Sequence, residues 1–316
     1  MLNSYKKENM PIDVIFEKFY LTHSKEHKKP ISAATEEHLF RNWILPILAG
    51  RPLKNVSAFD CDKIQKRMRT AGKSERTIEY TLAVLRQIFT FCRRNKLFSG
   101  ESPLGEVTRR KFDNRKQRFL SHDEASLLLN HLKTKNRQLY LMAMVSLHAG
   151  LRAGEIFSLT WGDLDIENGL LLLRDTKNKE TRYGFMTQTL KGELSELVPG
   201  KPSELIFKDR FGKKIKSISA TWDRVVDKLG LNEGIADRRL KFTFHGLRHT
   251  FASNLVASGI DLFRVQQLLG HKTPKMTLRY AHMSPEGLRD AVNQMEASIF
   301  NEPKAAKVIP LTRKVA

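Results

Sequence analysis

Phe244-His245-Gly246-Leu247-Arg248-His249-Thr250 sets His245, Arg248 and His249 at i, i+3 and i+4, on one face of a helix. Such a face is ordinarily solvated or satisfied within a core, and it gains meaning only from three other boxes. Upstream stands Gly150-Leu151-Arg152-Ala153-Gly154-Glu155. Downstream stand Leu268-Leu269-Gly270-His271 and Thr277-Leu278-Arg279-Tyr280-Ala281-His282. Alone, Arg152 would be a helix-terminal ion pair with Glu155, and Tyr280 a packing residue. Other catalytic signatures are missing. Gly72-Lys73-Ser74 ends like a phosphate-binding loop, but position 67 holds Arg instead of the required Gly, and no G-x-G-x-x-G, H-E-x-x-H or G-x-S-x-G occurs.

The 316 residues carry 55 Lys+Arg against 34 Asp+Glu, a net charge of +21. With 41% hydrophobic residues there is enough apolar material for real cores, so the charge belongs to a folded protein and not to a basic tail. Nucleic acid is the partner such a cation most often meets. Cys61 and Cys92, without Cys-x-x-Cys spacing, make neither a disulfide framework nor a zinc site, and are expected as small core residues. The longest run free of charge, Gln138 to Leu151, is too short for a membrane span of about 20 residues and is expected as a buried helix. No signal peptide is apparent in Met1 to Met10.

Six of the ten residues Arg109 to Arg118 are basic, with no apolar periodicity, which reads as a linker between two domains. Before it, helical periodicity recurs four times: Val14, Ile15, Phe19 and Leu21; Leu39, Trp43 and Ile44; Ile64 and Met68; Ile78, Leu82, Leu85, Phe89 and Cys92. Ser74 is a natural N-cap for the fourth helix, and Pro46, Gly50 and Pro52 are expected to break the chain between the second and third. After the linker, Ser121-x-x-Glu124 is a capping box opening a helix through Leu132. Leu170 to Arg174 and Arg182 to Thr187 read as two strands around a polar turn, and most of the rest as helix.

Taken in order, the four boxes resemble the tyrosine recombinase (phage integrase) family: an Arg with a Glu three residues on, a His-x-x-Arg, a His after Leu-Gly, and a nucleophilic Tyr one helix further, here nine residues from His271 to Tyr280. The resemblance covers residues 121 to 290. It implies a mainly α protein with a small β-sheet: an N-terminal helical bundle plus an α+β catalytic domain. The expected domains are a core-site DNA-binding bundle at 1–108, a basic linker at 109–120, a catalytic domain at 121–298 and a flexible tail at 299–316. Residues 1–108 leave no room for the additional arm-site-binding domain of many phage integrases.

A phosphodiester attacked by a phenol passes through a pentavalent state with added charge on its nonbridging oxygens, which arginine forks bind bidentately. Arg152 and Arg248 are expected in that role, with His271 as a further donor. A phenol with a pKa near 10 is mostly protonated at neutral pH, so Tyr280 needs a base, for which His245 is the candidate. The family places a Lys that protonates the leaving 5′ oxygen on a β-hairpin turn. In Arg174-Asp175-Thr176-Lys177-Asn178-Lys179-Glu180-Thr181-Arg182 that is Lys177, with Lys179 as competitor. Glu155 is expected to support Arg152, and His249 to support the site from its helix. Lys73, Arg76, Arg93, Arg115, Lys116 and Arg118 are the candidate DNA contacts.

The resemblance implies a DNA recombinase that forms a 3′-phosphotyrosyl intermediate without metal or other cofactor. Four protomers would act on two sites of double-stranded DNA, with accessory DNA-bending proteins and the tail after about Glu296 docking on a neighbour. The protein would be cytoplasmic and nucleoid-associated in a bacterial host, encoded by a phage or other mobile element, with no membrane partner. A type IB topoisomerase-like nickase and a non-catalytic DNA-binding regulator are the alternatives.

Overall fold

In the computed structural model, Asn136 caps the uncharged run by accepting the N–H of Leu139 at 2.9 Å, and Gly150 ends it in the left-handed region with φ 68°. A side chain at position 150 would be strained by that φ and would collide with the ring of Phe251. The resulting helix, Arg137–Ala149, is buried nearly all round and forms the centre of a core shared with Leu128, Leu132, Ile156, Leu171, Trp222 and Leu247. The structure describes residues 9–108, 110, 118–174, 181–283, 292–293 and 295–296, and the chain divides into two compact units, Met1–Asn114 and Arg115–Ala316.

Among the described residues the first unit holds four α-helices. α1 (residues 12–27) and α2 (residues 30–48) each contain a wider π turn, Phe16–Tyr20 and Phe40–Ile44; α3 is Ala58–Thr70 and α4 is Glu75–Arg94. Ser57 caps α3 in a reciprocal box with Asp60, and Ser74 caps α4 by accepting the N–H of Thr77. Two expectations are corrected. α1 buries Ile12, Ile15, Phe16 and Tyr20, while Phe19 is 38% exposed, because the apolar stripe follows i, i+3, i+4 and i+8 from Ile12. Pro46 does not break α2. It sits in the first turn after the π segment, where the missing N–H is tolerated, and the helix ends at Leu48. Cys61 and Cys92 are fully buried, and burial pushes both thiols up to about 12.

In the second unit the chain is anchored before residue 121. Arg118 pairs with Glu124, and the N–H of buried Leu120 donates to Thr250 Oγ1 at 3.0 Å. The Ser121–Glu124 capping box opens α5 (His122–Lys135), followed by α6 (Arg137–Ala149) and the short α7 (Ala153–Ile156). A three-stranded antiparallel sheet then runs β1 (Leu164–Asp165), β2 (Leu170–Leu173) and β3 (Arg182–Phe185) in that order. β1 is an added strand, too short for its own periodicity. Cross-strand partners share a face, so the register Leu171↔Gly184 and Leu173↔Arg182 turns Gly184 and Arg182 toward the core with the two buried leucines, leaving Tyr183 and Phe185 exposed. Further described helices are α8 (Gln188–Ser195), α9 (Ala220–Lys228), α10 (Phe244–Ala257), α11 (Leu262–Leu269) and α12 (Pro274–Thr277), with a 3₁₀ turn at Leu278–Met283. No described helix is long and apolar enough to cross a membrane.

Candidate active site

α10 packs against α6, and this sets the polar face of Phe244–Thr250 behind the end of the central helix. Arg248 is 2% exposed. Its guanidinium donates to the carbonyl of Gly150 at 2.6 Å and to that of Leu269, joining the ends of α6 and α11. Such a buried cation stands only where fixed acceptors replace water. Burial, and next the nearby Arg152, lowers its pKa to about 9 against the pull of Glu155, so it stays charged at neutral pH.

Arg152 occupies the N-cap position of α7, and Glu155 folds back onto it. One carboxylate oxygen accepts the Arg152 backbone N–H and the other its guanidinium, both at 2.8 Å. Arg248 Nη1 stands 3.9 Å from the same carboxylate. Burial acts to raise the Glu155 pKa, but Arg182, the Arg152 N–H and the charges of Arg152 and Arg248 outweigh it and hold the carboxyl below its usual range.

Gly270 ends α11 at φ 58°, and His271 follows, its Nδ1 2.9 Å from Thr277 Oγ1. Tyr280 lies on the 3₁₀ turn, 5% exposed, its ring in an apolar cluster with Ala252, Val256, Val265 and Leu269. Its hydroxyl is hydrogen-bonded to His249 Nδ1 at 2.6 Å, and the phenol is the donor when His249 is neutral with its proton on Nε2. Burial raises the phenol pKa, opposed by Arg279 and Arg248. Lost solvation, helped by neighbouring charge, lowers buried His249 and half-buried His271 to about 3 and the more exposed His245 to about 4, which leaves the His249 ring neutral at pH 7.

The structure thus gathers Arg152, Glu155, His245, Arg248, His249, His271 and Tyr280 from four boxes into one region. It changes one pairing. The hydroxyl of Tyr280 meets His249 and not His245, because His249 lies one turn further along α10, toward the 3₁₀ turn; the two imidazoles pack edge to face at 4.7 Å between centroids. Lys177 and Lys179 lie outside the described residues, as do Arg115, Lys116 and the tail after about Glu296. Arg118 is committed to Glu124 and to the carbonyl of Phe119. In the first unit, Lys73 stands over the ring of Trp43 at 5.5 Å, Arg76 bonds Tyr80 Oη at 2.9 Å, and Arg93 is exposed in the last turn of α4. Arg182, on β3, joins the cluster without any sequence box to announce it; only strand pairing, opposite Leu173, turns it inward. Among the described residues no group of three His, Cys, Asp or Glu is placed to hold a metal ion.

These features define a class: an α+β domain whose phenol lies in the same buried region as two arginines joined through one carboxylate. The phage integrase family model matches residues 118–286, and the chain belongs to that family. It is 31% identical to a putative integrase of Pseudomonas phage Pf1 over 253 residues, 77% of this chain and 70% of that protein. It is 32% identical to the tyrosine recombinase XerA of Saccharolobus solfataricus over 215 residues, 68% of this chain and 66% of that protein. Among solved structures, the Tn1549 transposon integrase in complex with transposon right end DNA superposes with a TM-score of 0.73 at 20% identity, covering 91% of this chain and all of that one. A lambda integrase tetramer bound to a Holliday junction gives 0.70 at 17%, covering 89% and 80%.

Proposed function

We propose that this chain, a site-specific DNA recombinase of the tyrosine class, cuts and rejoins double-stranded DNA through a 3′-phosphotyrosyl bond on Tyr280. The observation that carries the reading is the placement of a buried phenol, already bonded to a neutral imidazole, in the same core region as Arg248. Tyr280 Oη attacks the scissile phosphorus, and the Oη proton passes to His249. Arg152, Arg248 and His271 bind the nonbridging oxygens, and Lys177 gives a proton to the departing 5′ oxygen. A bond exchanged for a bond of similar energy lets a 5′ hydroxyl reverse the step without ATP. Glu155 orients Arg152 and leaves a net positive pocket.

Residues 1–108 act as the core-site-binding bundle, with Lys73, Arg76 and Arg93 toward the phosphates, and 109–120 as a basic linker. Four protomers work on two sites, an arrangement supported by the tetramer seen for lambda integrase. Accessory DNA-bending proteins assist, and the complex works on the nucleoid in the cytoplasm. The test is a nicked suicide substrate resolved on a denaturing gel. The parent protein is expected to give a covalent protein–DNA band, and Tyr280→Phe to bind DNA equally well and give none. A persistent band in the variant removes Tyr280 from the mechanism.

A further inference from the structure

Arg182 is a charged residue on the core side of a strand, where its register opposite Leu173 turns it largely away from water. Its side chain is 15% exposed. Nη2 meets Glu155 Oε2 at 3.1 Å, Nη1 donates to the Leu268 carbonyl at 3.2 Å, and Nε is buried without a hydrogen-bond partner. Glycine is required opposite it, since a Cβ at Gly270 would collide with Nε. Burying a guanidinium with one donor unmet is costly, and an aliphatic side chain would fill the same place without that cost.

The charge arrangement gives the reason. Glu155 Oε1 is taken by Arg152 Nη1, while Oε2 accepts the Arg152 N–H and lies between Arg182 Nη2 and, at 3.9 Å, Arg248 Nη1. One carboxylate faces three guanidiniums. If it faced only Arg152 and Arg248, its charge would be drawn from the two groups that must bind phosphate oxygens. We propose that Arg182 is a positioning residue that neutralises Glu155 from behind, so that Glu155 orients Arg152 while Arg152 and Arg248 keep their positive charge for the phosphate. Its bond to the Leu268 carbonyl, next to the Leu269 carbonyl held by Arg248, keeps the end of α11 in register with that pair.

This rests on the reading of Tyr280 as nucleophile at the arginine pocket, and the experiment separates the two. Single-turnover cleavage of the nicked suicide substrate, DNA affinity and melting temperature are measured for the full-length parent, Arg182→Met, Arg182→Lys, Glu155→Gln and the double variant Arg182→Met/Glu155→Gln. A parent that forms no covalent adduct defeats the functional reading itself. With the parent active, Arg182→Met is expected to keep DNA affinity and lose cleavage by roughly 10- to 100-fold, the usual loss for a group that orients a ligand from behind. Arg182→Lys, which keeps the charge, should recover most of it. The deciding measurement is the double variant. Removing the carboxylate charge as well restores the balance and should make it cleave faster than Arg182→Met, whereas a purely structural arginine predicts a double variant slower than either single one. A slower double variant, or Arg182→Met equal to the parent, overturns the proposal. So does recovery of Arg182→Met on a substrate with sulfur at the bridging 5′ position, which would mean that Arg182 acts through the general acid on the hairpin.

Discussion

The hydroxyl of Tyr280 lies 2.6 Å from Nδ1 of His249, in a region where both side chains are less than one-tenth exposed. In the proposed mechanism, this pairs the attacking phenol with its proton acceptor before any DNA arrives. His249→Ala is expected to slow adduct formation by roughly 100- to 10,000-fold, the range for loss of a general base, with part of the loss regained as pH rises toward the phenol's own ionisation. His245→Ala, whose ring meets Tyr280 only through His249, should cost less. A pH–rate profile of both variants checks this; a larger loss at His245 returns the base to that residue.

Three histidines whose protonation the fold opposes should make it acid-sensitive in a defined window. His245, His249 and His271 are held down to about 4, 3 and 3 in the folded protein, against about 6.5 when unfolded. The unfolded chain then binds more protons below pH 6.5, so stability falls as pH drops from about 7.5 to 5. The carboxylates held low, such as Glu155 and Asp60, are ionised in both states over that window and contribute little slope. The melting temperature should fall over this range in the parent and fall less in His249→Asn. Equal slopes would place the titration elsewhere.

Affinity for DNA should decrease with salt by about 0.9 log unit per log unit of salt for each phosphate contacted. Replacing Arg115 and Lys116 by Gln should flatten that slope, while Arg118→Gln should leave it nearly unchanged and lower the melting temperature instead, because Arg118 is engaged with Glu124. Filter binding at several salt concentrations reads all three, and a flattened slope for Arg118→Gln would mean that its ion pair opens on DNA.

Cleavage should proceed in excess chelator, since two arginines supply the charge a metal would. Lys177→Ala should slow it by roughly 100- to 10,000-fold, and a bridging 5′ sulfur, which leaves as the thiolate, should restore the rate. Arg152→Ala and Arg248→Ala should stay slow on the sulfur substrate. Rescue of Lys179→Ala in place of Lys177→Ala would move the acid two residues along the hairpin.

Much of this was legible along the chain because it is local. Helix caps at Ser74 and Ser121 and the uncharged run ending at Gly150 depend on neighbours within a turn or two, so sequence alone determined them. The four boxes were legible for a different reason: each holds one or two polar residues in a fixed local setting, and their order along the chain is itself information. What sequence could not assign were the partnerships between boxes. His245 and His249 lie on the same helix, one turn apart, and only the packing of the 3₁₀ turn against α10 decides which of them meets the phenol. Arg182 reads as one more cation on a basic hairpin until strand pairing turns it inward, and Glu155 reads as the partner of Arg152 alone until the ends of α6 and α11 bring Arg248 to it and β3 brings Arg182. Charge in a buried cluster is a property of distances between segments far apart in the chain, and only the tertiary structure fixes those distances.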